Sequence, residues 1–194
     1  MTVFFEASMS LDGFTAGPNI TPQNPMGDGG EELHGWMFAD KSDEEMAAYQ
    51  DALFESVGAL VMGRRTLNLG LGPWGDNPPY HAPVFVVTHE PHEPIEKLGG
   101  TTFTFVTDGF EVAFQRARDA AGAKDVQIMG GAEIDRLALA AGVVDEIRLH
   151  IAPMLLGGGT RLFDGAEVGP AELEMMSAES DLKHGVIHVR YRVI

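Results

Sequence analysis

The chain reads as an α/β protein: a mainly parallel central sheet, helices on both faces, and an antiparallel edge at the C-terminus. Three observations predict this. Short, continuously apolar runs (Ala59–Met62, Pro83–Thr88, Thr102–Thr107 and Val126–Met129) recur between helical stretches, the pattern of strands covered on both faces. Two of these runs leave through glycine into a helix-like segment, at Gly63-Arg64-Arg65-Thr66 and at Gly130-Gly131. The end of the chain switches to strict alternation, in Glu146–Ala152 and in a last strand with Ile187, Val189, Tyr191 and Val193 on one face.

Taken in order, Val3–Ala7 is a largely buried first strand that runs into the turn-prone Ser10-Leu11-Asp12-Gly13-Phe14. Gly17 to Gly30 is rich in proline, glycine, Asn and Asp, and so long an irregular stretch points to function. Trp36-Met37-Phe38 closes it with bulky apolar residues. Ser42-Asp43-Glu44-Glu45 is a capping box; Met46, Tyr49, Leu53 and Val57 follow at helical spacing, with Gly58 as the C-cap. Thr66–Leu71 reads as a brief helix and Pro73–Pro79 as a loop. Phe110, Ala113, Phe114, Ala117 and Ala121 form a helical stripe that stops at Gly122; Ile134, Leu137, Ala138 and Ala141 form the next, from about Ala132 to Ala141. Two strands joined at Lys183-His184-Gly185 close the chain. Nothing in the 194 residues marks a repeat or a boundary, so one domain, 1–194, is expected.

The composition excludes several classes. With 13 basic and 29 acidic residues the formal charge is −16, which argues against nucleic acid and against anionic membranes as partners. Cysteine is absent, so disulfides, thiolate metal sites and cysteine nucleophiles are out. The first residues have no basic region and no long apolar run, and the expectation is a cytoplasmic protein.

The chemistry is carried by the two glycine exits. A strand that ends in Gly130-Gly131 and feeds a helix presents unpaired N–H groups together, with the helix dipole behind them, and this suits a phosphate. Glu133 in the first turn would repel one, so the backbone amides would have to do most of the holding. Arg64-Arg65 gives a planar fork for a ribose 2′-phosphate, and Thr88 and His89 stand at the next strand exit to add donors. Together they favour NADP over NAD. His89-Glu90-Pro91-His92-Glu93 is broken by Pro91, so no metal site is expected. Gly157-Gly158-Gly159 lacks the Lys-Ser/Thr of a phosphate-binding loop, and no Gly-x-Ser-x-Gly occurs. Asp12 has two readings: it stabilises its own turn, or it supplies the proton that a hydride-transfer reaction needs.

Several segments, Ser10-Leu11-Asp12-Gly13-Phe14, Val61–Thr66, Gly130-Gly131-Ala132 and above all Val143–Phe163, together resemble the reductase domain of the bifunctional riboflavin-biosynthesis deaminase–reductase. That family lies within the dihydrofolate-reductase-like superfamily. The resemblance implies a dihydrofolate-reductase-like fold, NADPH as cofactor and a homodimer. By position it puts Gly63, Arg64, Arg65, Thr66, Thr88 and His89 on the adenosine 2′-phosphate, and Gly130, Gly131, Ala132, Glu133 and Ile134 on the pyrophosphate. It also allows a cis Gly130–Gly131 bond. Two departures argue against folate: Ala47 stands where dihydrofolate reductases carry the pterin-binding carboxylate, and Trp74–Val84 contains no arginine to clamp a glutamate tail. With no cysteine in the 194 residues, the zinc site of the deaminase half is not expected here either.

The expectation is therefore an NADPH-dependent reductase that passes hydride to a small heterocyclic or carbonyl substrate. Asp12 is the candidate catalytic group, Phe14 and Trp36 are candidate stacking partners for a planar ring, and the Gly17–Lys41 loop covers the substrate side. The alternatives are an NADP(H)-binding module without turnover and a weak dihydrofolate reductase.

Overall fold

The computed structural model describes residues 1–38, 44, 48, 51, 52, 54–164 and 169–194. The chain opens with β1 (Val3–Ser10) and β2 (Phe14–Ala16), a 3-10 turn at Gly30–His34 and a single helical turn, α1 (Gly35–Phe38). Then come β3 (Val57–Gly63), α2 (Arg64–Gly70), β4 (Pro83–Val87), β5 (Ile95–Glu96) and β6 (Thr102–Val106). The rest is α3 (Phe110–Ala121), β7 (Asp125–Ile128), α4 (Ala132–Ala140), β8 (Glu146–Ala152), β9 (Thr160–Arg161), β10 (Leu173–Asp181) and β11 (Val186–Val193).

Nine strands form one sheet in the order β10-β11-β8-β1-β7-β3-β4-β6-β5. The six strands from β8 to β6 pair in parallel; β11 and β10 add the expected antiparallel edge, and the two-residue β5 adds a second one that the sequence did not announce. β2 and β9 make a separate small ribbon. The chain builds outward from β3 to β6 and then returns to slot β7 between β1 and β3, which brings the exits of β3 and β7 side by side.

Alternation along β1 explains the two cores. Val3 and Phe5 enter the face covered by α3 and α4, together with Val61, Ile128, Phe110 and Ile134. Phe4 enters the other face with Leu60, Met62, Val84, Phe103 and the α2 residue Leu67. Each such fully buried side chain contributes about 1.5–3 kcal/mol relative to exposure. That second face is apolar only under β3, β4 and β6. Under β1, β8 and β11 it becomes polar, with Glu6, Arg148 and His150 joined by ion pairs.

The structure moves one boundary. Val57 and Gly58, expected to end a helix, are the first residues of β3. Gly58 is glycine because β3 passes close to the end of α3: a Cβ there would lie 2.7 Å from Lys124 Cβ and 2.8 Å from the Ala121 carbonyl oxygen. The capping box (Glu44 apart), Met46, Ala47, Tyr49 and Leu53 lie outside the described residues. The Gly17–Gly30 stretch is held by its own hydrogen bonds, Gly17 N to Met26 O (2.8 Å) and Asp28 N to Pro18 O (2.8 Å), and by Asn19 and Asn24 donating to the Asp28 carboxylate. Among the described residues no helix is long and apolar enough to cross a membrane.

Candidate functional site

Two strand exits are stitched together at the carboxyl ends of the parallel strands. Met129 N donates to Val61 O (2.7 Å) and Gly63 N donates to Gly130 O (2.9 Å), so the ladder between β7 and β3 runs on past the end of β7. Gly63 has to be small: a Cβ would lie 3.1 Å from Ile134 Cγ1. Gly130 has φ 65° and is joined to Gly131 by a cis peptide bond. From there α4 starts, and its first N–H groups, on Ala132 and Glu133, have no carbonyl one turn back within the helix. Ile134 N is already used, donating to Gly131 O at 2.8 Å. Ile134 therefore packs in the core rather than offering its amide.

Beneath this cradle lies a carboxyl group. Asp135 is 3% exposed and accepts from the Gly130 amide, and burial pushes it well above the usual carboxylate range. The shift favours the neutral carboxyl beneath the helix start. Glu133 is exposed.

Gly63 also begins α2, where Arg64 and Arg65 follow at once. The Arg64 guanidinium lies over the Phe105 ring, 4.9 Å from its centre, and its Nη1 is buried with no hydrogen-bond partner. A cation with a buried, unpaired donor is costly unless a ligand completes it. Arg65 is exposed; Thr66 has its hydroxyl 3.7 Å from where a Gly131 Cβ would be. Thr88 is buried, its Oγ1 accepting from Glu90 N (3.2 Å), which leaves the hydroxyl proton to donate. His89 is exposed at the same exit.

These residues line one cleft of about 1570 Å³, larger than the ~300–1,000 Å³ of an ordinary small-ligand pocket. Gly63 to Thr66, Thr88, His89 and Gly130 to Ile134 line it at one end. Glu6, Ser8, Gln127, His34 and His150 line it at the other, with Thr15, Ala16 and Met26 bringing the root of the Gly17–Gly30 stretch to its wall. The cleft has room for a dinucleotide and a second small molecule.

Three expected residues are not in it. Asp12 is committed to holding two loops together: its Oδ1 accepts from Ser10 Oγ (2.6 Å) and Leu156 N (3.1 Å), its Oδ2 from Gly157 N (2.7 Å). The Ser10 bond, with the two amides, holds its pKa down at about 2. Asp12 thus follows the other of its two readings, holding its turn, and is not among the residues that line the cleft. Phe14 is buried beneath the Arg161 guanidinium, 4.3 Å from the ring centre, and presents no face to a ligand. Trp36 packs its ring on His150 and His188, at 4.6 and 4.8 Å, and lines a separate small hollow with Pro153 and Met154.

The sequence reading passed over Glu6, Gln127 and Asp135. Glu6 sits inside an apolar run and was read as part of a buried strand. The alternation of Arg148 and His150 on one face of β8 was the available signal, because two such residues on a central strand need partners on the next. Tyr80, also in the cleft wall, stands edge-on to Trp74 and Phe54, and burial pushes its hydroxyl far above the usual range.

Comparison with known proteins agrees with this fold. The family model described as the RibD C-terminal domain matches residues 1–186. A putative riboflavin biosynthesis protein from Shewanella sp. PV-4 has a similar structure, with 25% identity and a TM-score of 0.75 over all of this chain and 99% of that one. A pyrimidine reductase-like protein from Corynebacterium diphtheriae shares the fold at 18% identity, with a TM-score of 0.61 over all of this chain and 92% of that one. No curated protein matches the sequence. With the family model covering nearly its whole length, this chain belongs to the RibD C-terminal domain family.

Proposed function

We propose that the chain is an NADPH-dependent reductase acting on a small heterocyclic or carbonyl substrate. The observation that carries the reading is Arg64: a buried guanidinium nitrogen without a partner, lining the same cleft as the Gly130–Gly131 cradle. Arg64, with Thr66 and Thr88 beside it, would hold the ribose 2′-phosphate, and the amides of Ala132 and Glu133 the pyrophosphate. When bound, NADPH supplies a hydride. The chain's own part is alignment and exclusion of water, for which the apolar wall of Trp74, Tyr80 and Phe54 and the strap at Thr15, Ala16 and Met26 are suited.

Titration with NADPH and NADH, followed by tryptophan fluorescence, tests the cofactor. Arg64→Ala is expected to weaken NADPH about tenfold to a hundredfold, the worth of a charge-assisted contact, while NADH changes little. Equal weakening of both removes Arg64 from the 2′-phosphate. Turnover is tested by NADPH oxidation with isatin, a planar carbonyl, and with dihydroisoquinoline, a cyclic imine. Dihydrofolate is expected to give little or no rate. A binding module without turnover is the second reading, favoured by the engagement of Asp12 elsewhere; NADPH binding without oxidation by any acceptor would establish it.

A further inference from the structure

Reduction of a C=O or C=N bond adds a hydride to carbon and a proton to the heteroatom, and with Asp12 excluded the proton needs another source. Glu6 on β1, His150 on β8 and His188 on β11 form a row across three neighbouring strands. Glu6 Oε1 is 2.8 Å from His150 Nε2, and His150 Nδ1 is 2.6 Å from His188 Nδ1. Glu6 and His150 line the cleft; His188 is not among its lining residues and is half-buried. The Trp36 ring packs on both imidazoles and fixes their planes.

The row has a direction. Both ring nitrogens of His150 are taken, so His150 itself has nothing left for a ligand. Glu6 keeps one oxygen: Oε2 lies 4.0 Å from Arg148 Nη1, beyond hydrogen-bond reach. A purely structural account explains His150 as the partner of a carboxylate whose side chain is 13% exposed, but not the second imidazole. Two imidazole nitrogens at 2.6 Å require that one holds a proton and the other accepts it. That is a proton-conducting contact. Around it stand Arg148 and Glu146 on β8, Arg190 on β11, Glu179 and Asp181 on β10, and His34 on the 3-10 turn, whose pKa is lowered by burial and by His150.

We propose that Glu6 donates the proton to the substrate in the acceptor half of the cleft, and that His150 and His188 return a proton to it from solvent. This rests on the reductase reading above. The electron pair released from the C=O or C=N bond collects on oxygen or nitrogen, which takes a proton at Glu6 Oε2 that the carboxylate has received from His150 Nε2. His150 Nδ1 then takes the proton of His188, and solvent returns one to His188. One hydride and one proton are added, balanced by the two-electron oxidation of NADPH. Among the described residues the arginines that line the cleft, Arg64, Arg65 and Arg136, stand on α2 and α4, while Glu6 and Glu31, with His34 and His150, line it from β1, β8 and the 3-10 turn. An uncharged acceptor fits beside Glu6 and Glu31 better than a phosphorylated one.

Glu6→Gln and His188→Asn test the relay, with isatin as acceptor. Glu6→Gln is expected to lower kcat about a hundredfold or more, the worth of a general acid, with NADPH affinity within about twofold of the wild type. His188→Asn, remote from the cleft, is expected to lower kcat, leave KM unchanged and recover rate when imidazole is added to the buffer. A residue with only a packing role would not be rescued. In nucleotide-free protein the proton between His150 and His188 is expected as a strongly downfield imidazole N–H resonance, lost in His188→Asn and displaced in Glu6→Gln. Wild-type kcat in both variants, or no such resonance, overturns the relay while leaving NADPH binding intact. Failure of the wild type to bind NADPH overturns the reductase reading instead, and the relay's role with it.

Discussion

Asp12 and Asp135 carry the same functional group and meet opposite fates. Asp12 accepts three hydrogen bonds and is held at about 2; Asp135 is buried and pushed up despite the Gly130 amide and Arg136 beside it. Linkage turns each shift into a pH dependence. A depressed acid stabilises the fold above its unfolded value, 3.8, and loses that contribution as pH falls toward about 2. Asp12→Asn is therefore expected to lower the melting temperature at pH 7, and the difference from the wild type should close in strong acid. A raised acid does the reverse: stability falls as pH rises above its unfolded value of 3.8, because the folded form retains a proton the unfolded chain gives up. Asp135→Asn, which keeps shape and neutrality, should melt above the wild type at pH 8 and level with it near pH 4. Thermal unfolding scans across pH check both. Only the turn-holding role of Asp12 was among the sequence expectations. Asp12 stood out by its place in a turn, but its partners Leu156 and Gly157 lie 144 and 145 residues away. Asp135 drew no reading from the sequence.

Elements were easier to read than residues, because their signals are local. Continuous apolar runs placed β3, β4, β6 and β7 to within a residue or two, and the helical stripes placed α3 and α4. Where the reading slipped, at Gly58, the cause was a close approach to α3, which no local pattern encodes. The β2–β9 ribbon escaped for the same reason: two- and three-residue strands have no periodicity to detect. That ribbon straps the cleft, and Gly159 sets its approach. With φ 119°, a Cβ there would lie 2.0 Å from the Ala16 carbonyl oxygen. Gly159→Ala is expected to destabilise the protein by at least the ~1–3 kcal/mol of ordinary overpacking. Because Ala16 and Thr160 line the cleft, it should weaken NADPH binding as well. Denaturant unfolding and a nucleotide titration on the same variant measure both effects.

At the scale of the whole molecule, topology makes the site. Returning β7 to the centre places a glycine-rich exit against an arginine-bearing one, and the sheet's second face changes from apolar to ionic along the same cleft. The end proposed for the cofactor was readable as a candidate because glycine and arginine at strand exits advertise themselves in sequence. The end proposed for the acceptor was not, since Glu6, His150 and His188 meet only through pairing of β1, β8 and β11. A ligand that binds only the folded chain must stabilise it, by about 2.7 kcal/mol at a hundred times its dissociation constant, so NADPH should raise the melting temperature more than NADH at equal concentration. The most direct test of the central claim is a crystal soaked with NADPH. The expected result puts the 2′-phosphate on Arg64 and the pyrophosphate on the amides of Ala132 and Glu133, with the nicotinamide toward Glu6. Nucleotide density away from these two exits, or none in the cleft, would contradict it.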